Sequence, residues 1–350
     1  SLILSLLACA VRLGLARAGA ACPRVCKCSS ADTVHCASAG LRTLPAELVA
    51  SAVSVRLSDN MLRVLTPSTF RNLTALRSLW LDRNQLTFLY PGTFSALGQL
   101  RANPRLTFLH ANTFRGLSGL IRLDLSRCNL FEIHPLVFAP LLSLRALDLA
   151  SNNLRYIPQA FRGLASLARL SLERNHIEAI GRASLKSLPA LLARLSLERN
   201  HIEAIGRASL KSLPALYDLN LRKNGIGTVQ HAAFTALNRL GVLHLGHNRI
   251  ADLPNQLFEG LSQLTTMHLE ANRLSSINCS FNSLPNLRTL YLNNNRIASI
   301  SRSCSSSTPQ LKFLLLAHNP WNCDCKMGWF PSWRATYRGA VEGLQCAGPG

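Results

Sequence analysis

The sequence predicts an α/β solenoid, a horseshoe of short parallel strands on its concave face with a disulfide-bonded cap at each end. Three observations carry this. An asparagine, once replaced by cysteine, returns at a nearly fixed interval: Asn60, Asn84, Asn103, Cys128, Asn152, Asn175, Asn200, Asn224, Asn248, Asn272, Asn295, Asn319, most steps being 23 to 25 residues. Each closes a leucine pattern such as Leu147-Asp148-Leu149-Ala150-Ser151-Asn152. Cysteines cluster before the first coil and after the last, where a stack of coils would otherwise leave its core open.

A period of roughly 20–29 residues with this pattern is that of a leucine-rich repeat. One coil cannot bury its own leucines, whereas stacked coils share one continuous core. The asparagine turns inward, where its amide bonds backbone groups that would otherwise be buried unpaired. The length of 350 residues therefore reads as one growing solenoid, and the 48% apolar content as its dispersed core.

Residues 1–20 read as a secretory signal peptide. The apolar run Leu2–Val11 is too short to span a membrane, and Ala18-Gly19-Ala20 offers small residues for cleavage. The chain opens on Ser1 and stops at Gly350 inside a capping motif, which reads as a fragment of a longer protein.

Residues 21–51 form the N-terminal cap, with Cys22, Cys26, Cys28 and Cys36. Residues 319–350 begin a C-terminal cap with Cys323, Cys325 and Cys346, whose fourth cysteine is expected beyond Gly350. Zinc is the competing reading of such clusters. The secretory route and the position of the clusters at the ends of the stack favour disulfides. Trp329 and Trp333 are expected to lie over the open end of the last coil.

Between the caps, residues 52–318 hold about 12 coils, one truncated and one duplicated. Most carry a phenylalanine in the outer turn, such as Phe94 and Phe234, expected to form a second core row. Two irregularities break the ladder. The step from Asn84 to Asn103 is only 19 residues, and Leu100-Arg101-Ala102-Asn103 lacks the residues of a strand. Residues 167–191 recur identically at 192–216. Both read as errors of sequence assembly, the true chain having one coil fewer and one complete strand more. Cys128 reads as a buried free thiol in a ladder position. Cys279 and Cys304 occupy corresponding outer turns of adjacent coils, where a disulfide and two free thiols are both open readings. Asn72-Leu73-Thr74 and Asn278-Cys279-Ser280 match the glycosylation acceptor pattern.

The variable positions of the repeat point to the concave face. They offer Arg56, Trp80, Asp82, Arg83, Asp124 and Arg127, then Glu173, Arg174, Arg222, His244, His268 and Tyr291, along with Glu198, His247 and Glu270. A mixed, arginine-rich face with aromatic anchors suits protein recognition; a generic solvated face is the plainer reading. His244 and His268 would lie about 5 Å apart on adjacent strands, close enough to share a metal, though ordinary polar surface is favoured.

The formal charge of +21 suggests anionic partners, sulfated glycans or acidic ectodomains. Equally, arginine stems cover leucine-rich surface while their heads stay solvated. Nothing resembles a groove-reading element for nucleic acid. The nucleophile-elbow, zinc-helix and phosphate-loop motifs are all missing, and acidic residues are scattered. The expectation is a non-enzymatic protein without cofactor.

The four-cysteine cap, the coils and the ending Asn319-Pro320-Trp321-Asn322-Cys323-Asp324-Cys325 resemble the extracellular leucine-rich repeat proteins with paired cysteine caps, the class of chondroadherin and the Nogo receptors. Leu44-Pro45-Ala46-Glu47-Leu48, Phe88–Phe94, Leu106–Phe114 and Leu172–Ile180 carry the likeness along the coils. The resemblance implies a secreted or cell-surface protein, tethered outside retinal bipolar-cell dendrites by a C-terminal anchor beyond Gly350. Its implied role is synaptic organisation, with a metabotropic glutamate receptor and a melastatin-type cation channel as partners. The chondroadherin side of the class implies instead a matrix protein that binds collagen or sulfated glycans.

Overall fold

The computed structural model describes residues 22–346 apart from single residues and short stretches, the longest being 90–98, 102–108, 115–120 and 301–309. Fifteen strands form one sheet. β1 (Lys27–Ser30) and β2 (Thr33–His35) form an antiparallel hairpin, and every later strand joins in parallel. In order these are β3 (Ser54–Arg56), β4 (Ser78–Trp80), β5 (Gln99–Arg101), β6 (Arg122–Asp124), β7 (Ala146–Asp148) and β8 (Arg169–Ser171). There follow β9 (Arg194–Ser196), β10 (Asp218–Asn220), β11 (Val242–His244), β12 (Thr266–His268), β13 (Thr289–Tyr291), β14 (Phe313–Leu315) and β15 (Ala340–Glu342).

Each repeat strand is three residues long because the alternation of its side chains is decided in one step. The central leucine points inward, as at Leu147, Leu195, Leu219 and Leu243, all buried. Its neighbours point to the concave face. Burying each such leucine stabilises the stack by about 1.5–3 kcal/mol, and the next coil supplies the wall it is buried against.

The asparagine ladder works as its spacing implies. Asn200 donates from Nδ2 to the carbonyls of Leu197 (3.0 Å) and of Leu172 one coil back (2.9 Å), and its Oδ1 accepts from the Ile177 N–H (2.9 Å). Asn60, Asn152, Asn248 and Asn319 repeat the pattern. One feature was not legible beforehand. The residue before the ladder position turns left-handed in coil after coil, as at Asp59, Arg127, Arg174, Lys223 and His247, with φ of 50–57°. That turn swings the amide into the core, a conformation that costs non-glycine residues of the order of 1 kcal/mol.

Outside the strands, the phenylalanine row is present. Phe114, Phe138 and Phe161 stack at 5.9 and 6.1 Å, and Phe234, Phe258 and Phe281 at 6.1 and 5.7 Å. The two identical coils interrupt it with buried Leu185 and Leu210, and their strands β8 and β9 pair in full register, Arg169 with Arg194 and Ser171 with Ser196.

The short step corrects one expectation. A strand is present before Asn103: β5 pairs Leu100 with Leu79 of β4 and with Leu123 of β6. An empty rung would strand the backbone groups of both neighbours in a buried row, so Leu100 takes the central seat. The rung is shortened instead, with two paired positions on each side where a typical coil has three.

At the ends, Cys22–Cys28 and Cys26–Cys36 close the N-terminal cap, and Cys323–Cys346 ties the C-terminal one. Cys346 therefore has its partner within the chain; Cys325 lies outside the described residues. Trp321 is fully buried and donates from Nε1 to the Leu316 carbonyl (3.0 Å). Trp329 and Trp333, on and beside the helix α1 (Phe330–Thr336), lie part-buried against the core, and Tyr337 Oη donates to the Leu311 carbonyl (2.9 Å). Cys128, Asn278 and Cys304 also lie outside the described residues, as does the Cys279 side chain. Among the described residues no helix is long and apolar enough to cross a membrane.

Candidate protein-binding face

The strand residues on either side of each buried leucine, and the residue two beyond the strand, make the concave face. Its centre collects most of the chemistry. Arg222, just past β10, is held by its own backbone: its N–H donates to Asn220 Oδ1 (3.0 Å), and Asn220 donates to Glu198 Oε2 (3.1 Å). Its guanidinium faces three partners. Nε lies 3.5 Å from Glu270 Oε1, Nη1 lies 3.9 Å from Glu198 Oε1, and Nη2 is 2.8 Å from His247 Nε2. Arginine only donates, so His247 Nε2 is an unprotonated acceptor. Burial and then the Arg222 charge lower the pKa of His247 accordingly.

Glu270 reaches Arg222 across the intervening coil, over Gly246. A Cβ at Gly246 would collide with the Glu270 carboxylate, so the glycine opens the path. Burial works to raise the pKa of Glu270, but the approach of His268 (Nδ1 to Oε2, 3.4 Å), the Glu270 backbone N–H and the Arg222 charge outweigh it, and the net shift is downward.

Beside this network runs a stack of rings. The imidazoles of His244 and His268 lie 4.5 Å apart, and His268 lies 4.3 Å from the Tyr291 ring at an interplanar angle of 10°. Phe313 follows at 5.6 Å in a tilted contact. The spacing follows from register, since His244, His268 and Tyr291 are direct partners in β11, β12 and β13. Both histidines have a carboxylate at hand: Asp218 Oδ1 is 3.8 Å from His244 Nε2, and Glu270 Oε2 is 3.4 Å from His268 Nδ1. Among the described residues no group of three or more His, Cys, Asp or Glu is placed to hold a metal ion. Burial, and next the nearby His268, lower the pKa of His244.

Toward the N-terminal side the face deepens into a trough of about 720 Å³ whose lining includes Asp148, Ser171, Glu173, Ser196, Asp218 and His244. Asp148 lies directly opposite Asp124 on the next strand. Burial raises its pKa most, with the Asp124 and Glu173 charges adding, against hydrogen bonds from the Ala150 N–H and Ser171.

The sequence-predicted residues thus divide. Arg222, His244, His268 and Tyr291 come together, and Glu173 lines the adjoining trough. Arg127 and Arg174 are exposed on the turns beyond the strands. Arg56 is exposed at the far end, opposite Trp80 in β4, whose side chain is not described. Asp82 and Arg83 lie outside the described residues. Asp124, beside Asp148 in register, is only 8% exposed and accepts from the N–H and hydroxyl of Ser126 (3.0 and 2.7 Å). Its carboxylate shapes the turn. Sequence reading passed over Asp148, Asp218 and Gly246, although the Leu-x-Leu spacing places all three on this face.

Leucine rich repeat models match residues 51–102, 100–154, 122–177, 165–226, 190–250, 214–274 and 278–320. The chain is 36% identical to nyctalopin of Mus musculus over 188 residues, 46% of this chain and 35% of that protein. It is 34% identical to reticulon-4 receptor-like 2 of Homo sapiens over 122 residues, 33% of this chain and 29% of that protein. These alignments span about a third of each relative's length. A chain in the octameric complex of Latrophilin 3, Unc5D and FLRT2 shares the fold, with a TM-score of 0.70 at 22% identity and 94% of each chain covered. Repeat models cover most of the chain, and the chain belongs to the leucine rich repeat family.

Proposed function

We propose that this chain is a non-enzymatic, extracellular recognition protein that binds the ectodomain of a receptor or channel through its concave face. The carrying observation is the stack His244–His268–Tyr291 beside the braced Arg222, a row of flat side chains next to an oriented cation. Stacking and ion pairing fix these groups before any partner arrives, which lowers the ordering cost of association. Arginine and tyrosine are also the residue types that dominate binding energy at protein interfaces. The cap disulfides favour an oxidising compartment. Similarity to nyctalopin supports a synaptic organiser at the surface of retinal bipolar cells, with a metabotropic glutamate receptor and a melastatin-type cation channel as partners.

The test is co-precipitation of each partner's ectodomain with the secreted chain carrying Arg222→Ala, His268→Ala and Tyr291→Ala together. A loss of capture with unchanged thermal melting is expected. Full capture by the triple variant sinks the concave-face reading.

A further inference from the structure

Among the described residues a row of arginines runs along the edge of the concave face, outside the network around Arg222. Arg249, Arg273 and Arg296 each follow a ladder asparagine in three consecutive coils, and all three are exposed. Their backbones are pinned in equivalent places: the N–H of each donates to a carbonyl one coil back, of Ile226 (2.8 Å), Ile250 (2.8 Å) and Leu274 (2.9 Å) respectively. The three side chains therefore leave the solenoid in a line, at about the 4.8 Å spacing of adjacent strands.

This row differs from the arginines of the face. Arg222 and Arg199 lie against Glu198, and Arg222 also against Glu270. Arg249, Arg273 and Arg296 form no ion pair among the described residues. Two positions further on, the same coils carry Ala251, Ser275 and Ala298, small and neutral. The nearest acidic residue to that row in sequence is the exposed Asp252, which follows Ala251. Like charges about 5 Å apart repel by nearly 1 kcal/mol per neighbouring pair even in water. An extended anion with repeated charges would convert that cost into binding, and guanidinium groups engage oxyanions by paired, bidentate hydrogen bonds.

We infer that the Arg249–Arg273–Arg296 edge is a binding site for a sulfated glycan chain lying along the solenoid axis. A glycan is favoured over nucleic acid because the cap disulfides place the chain in an oxidising compartment. It is favoured over a lipid surface because the charges form a line, whereas a membrane rewards charges spread over a plane. The site is separate from the concave-face reading, since it leaves Arg222, His244, His268 and Tyr291 untouched.

The experiment measures binding of the secreted chain to immobilised heparin oligosaccharide across a salt series. The variant Arg249→Ser/Arg273→Ser/Arg296→Ser is compared with Arg71→Ser/Arg162→Ser/Arg239→Ser, which removes the same charge from exposed outer-turn positions. The edge variant is expected to weaken binding tenfold or more at physiological salt and to flatten the salt dependence, while the outer-turn variant changes it less than twofold. Desulfated oligosaccharide is expected to bind neither protein appreciably. Equal losses in both variants would show a diffuse effect of net charge and overturn the site. So would undiminished heparin binding by the edge variant, or an edge variant that loses affinity only for vesicles containing phosphatidylserine. Thermal melting of each variant checks that the fold is kept.

Discussion

Arg222 and Glu270 pair at 3.5 Å although a whole coil lies between them, and Gly246 is the gap through which they meet. The φ of Gly246 is not positive, so alanine fits the backbone there and only its methyl group obstructs the carboxylate. Gly246→Ala should therefore release Glu270 from Arg222. The Arg222 side chain is 34% exposed, so the pair adds little to stability, under about 1 kcal/mol after solvent screening. Melting should shift by no more than about 2–4 °C. Capture of the partner ectodomain should fall several-fold, because the cation is no longer held in place. Unchanged capture would show that the bracing is incidental.

His244 makes stability depend on pH. The pKa of His244 is lowered in the fold, chiefly by burial and then by the adjacent His268. The unfolded chain then binds more protons between the folded pKa and the ordinary value near 6.5, so stability rises with pH in that window and is lost on acidification through it. Melting at pH 5.5 should be lower than at pH 7.5. His244→Gln, which cannot titrate, should narrow the difference; an identical pH profile in the variant would contradict this account.

Asp148 has the opposite sign. Burial and the charges of Asp124 and Glu173 raise its pKa, so the folded state holds its proton more tightly. The penalty for ionising it is felt above the ordinary carboxylate pKa and vanishes in acid. Asp148→Asn, which still accepts from the Ala150 N–H, should raise the melting temperature at pH 7 by about 1–3 °C and leave it nearly unchanged near pH 3. A lower melting temperature at pH 7 would show that the carboxylate is needed where it stands.

Asn200 satisfies buried backbone groups of two coils at once. Asn200→Ala leaves the Ile177 N–H unpaired, while the carbonyls of Leu172 and Leu197 each keep a second amide donor, Asn175 (3.1 Å) and Asn224 (3.0 Å). The loss should be about 1–3 kcal/mol, the cost of one unpaired buried group, and should appear as faster amide exchange at Ile177 before global melting. Protection at Ile177 equal to that of the unaltered chain would refute the ladder's role.

Asn72 is exposed on an outer turn beside a groove of about 290 Å³ lined by Leu44, Pro45 and Ser68. Expression through a mammalian secretory route should attach a glycan there. Enzymatic deglycosylation should lower the mass of the secreted chain, and Asn72→Gln should abolish the part of that shift due to this site.

The sequence by itself determined the stack. The interval from Asn152 to Asn175 to Asn200 states where each strand must fall, because a coil's leucines find cover only against an equivalent coil. The cap cysteines and the phenylalanine row follow from the same demand. His244 and His268 were predicted as neighbours because register alone places them so. Only the tertiary structure decided the rest. Leu100 fills a strand that its own coil seemed to have lost, because the unpaired edges of β4 and β6 demand one. Asp124 and Asp148, partners in adjacent strands, each direct a carboxylate oxygen to the backbone N–H two residues on. Glu270 passes over Gly246 to Arg222, a choice of side-chain path between residues 48 positions apart. Repeats make the backbone legible because each coil faces the same problem; where charged side chains meet across coils depends on the space their neighbours leave.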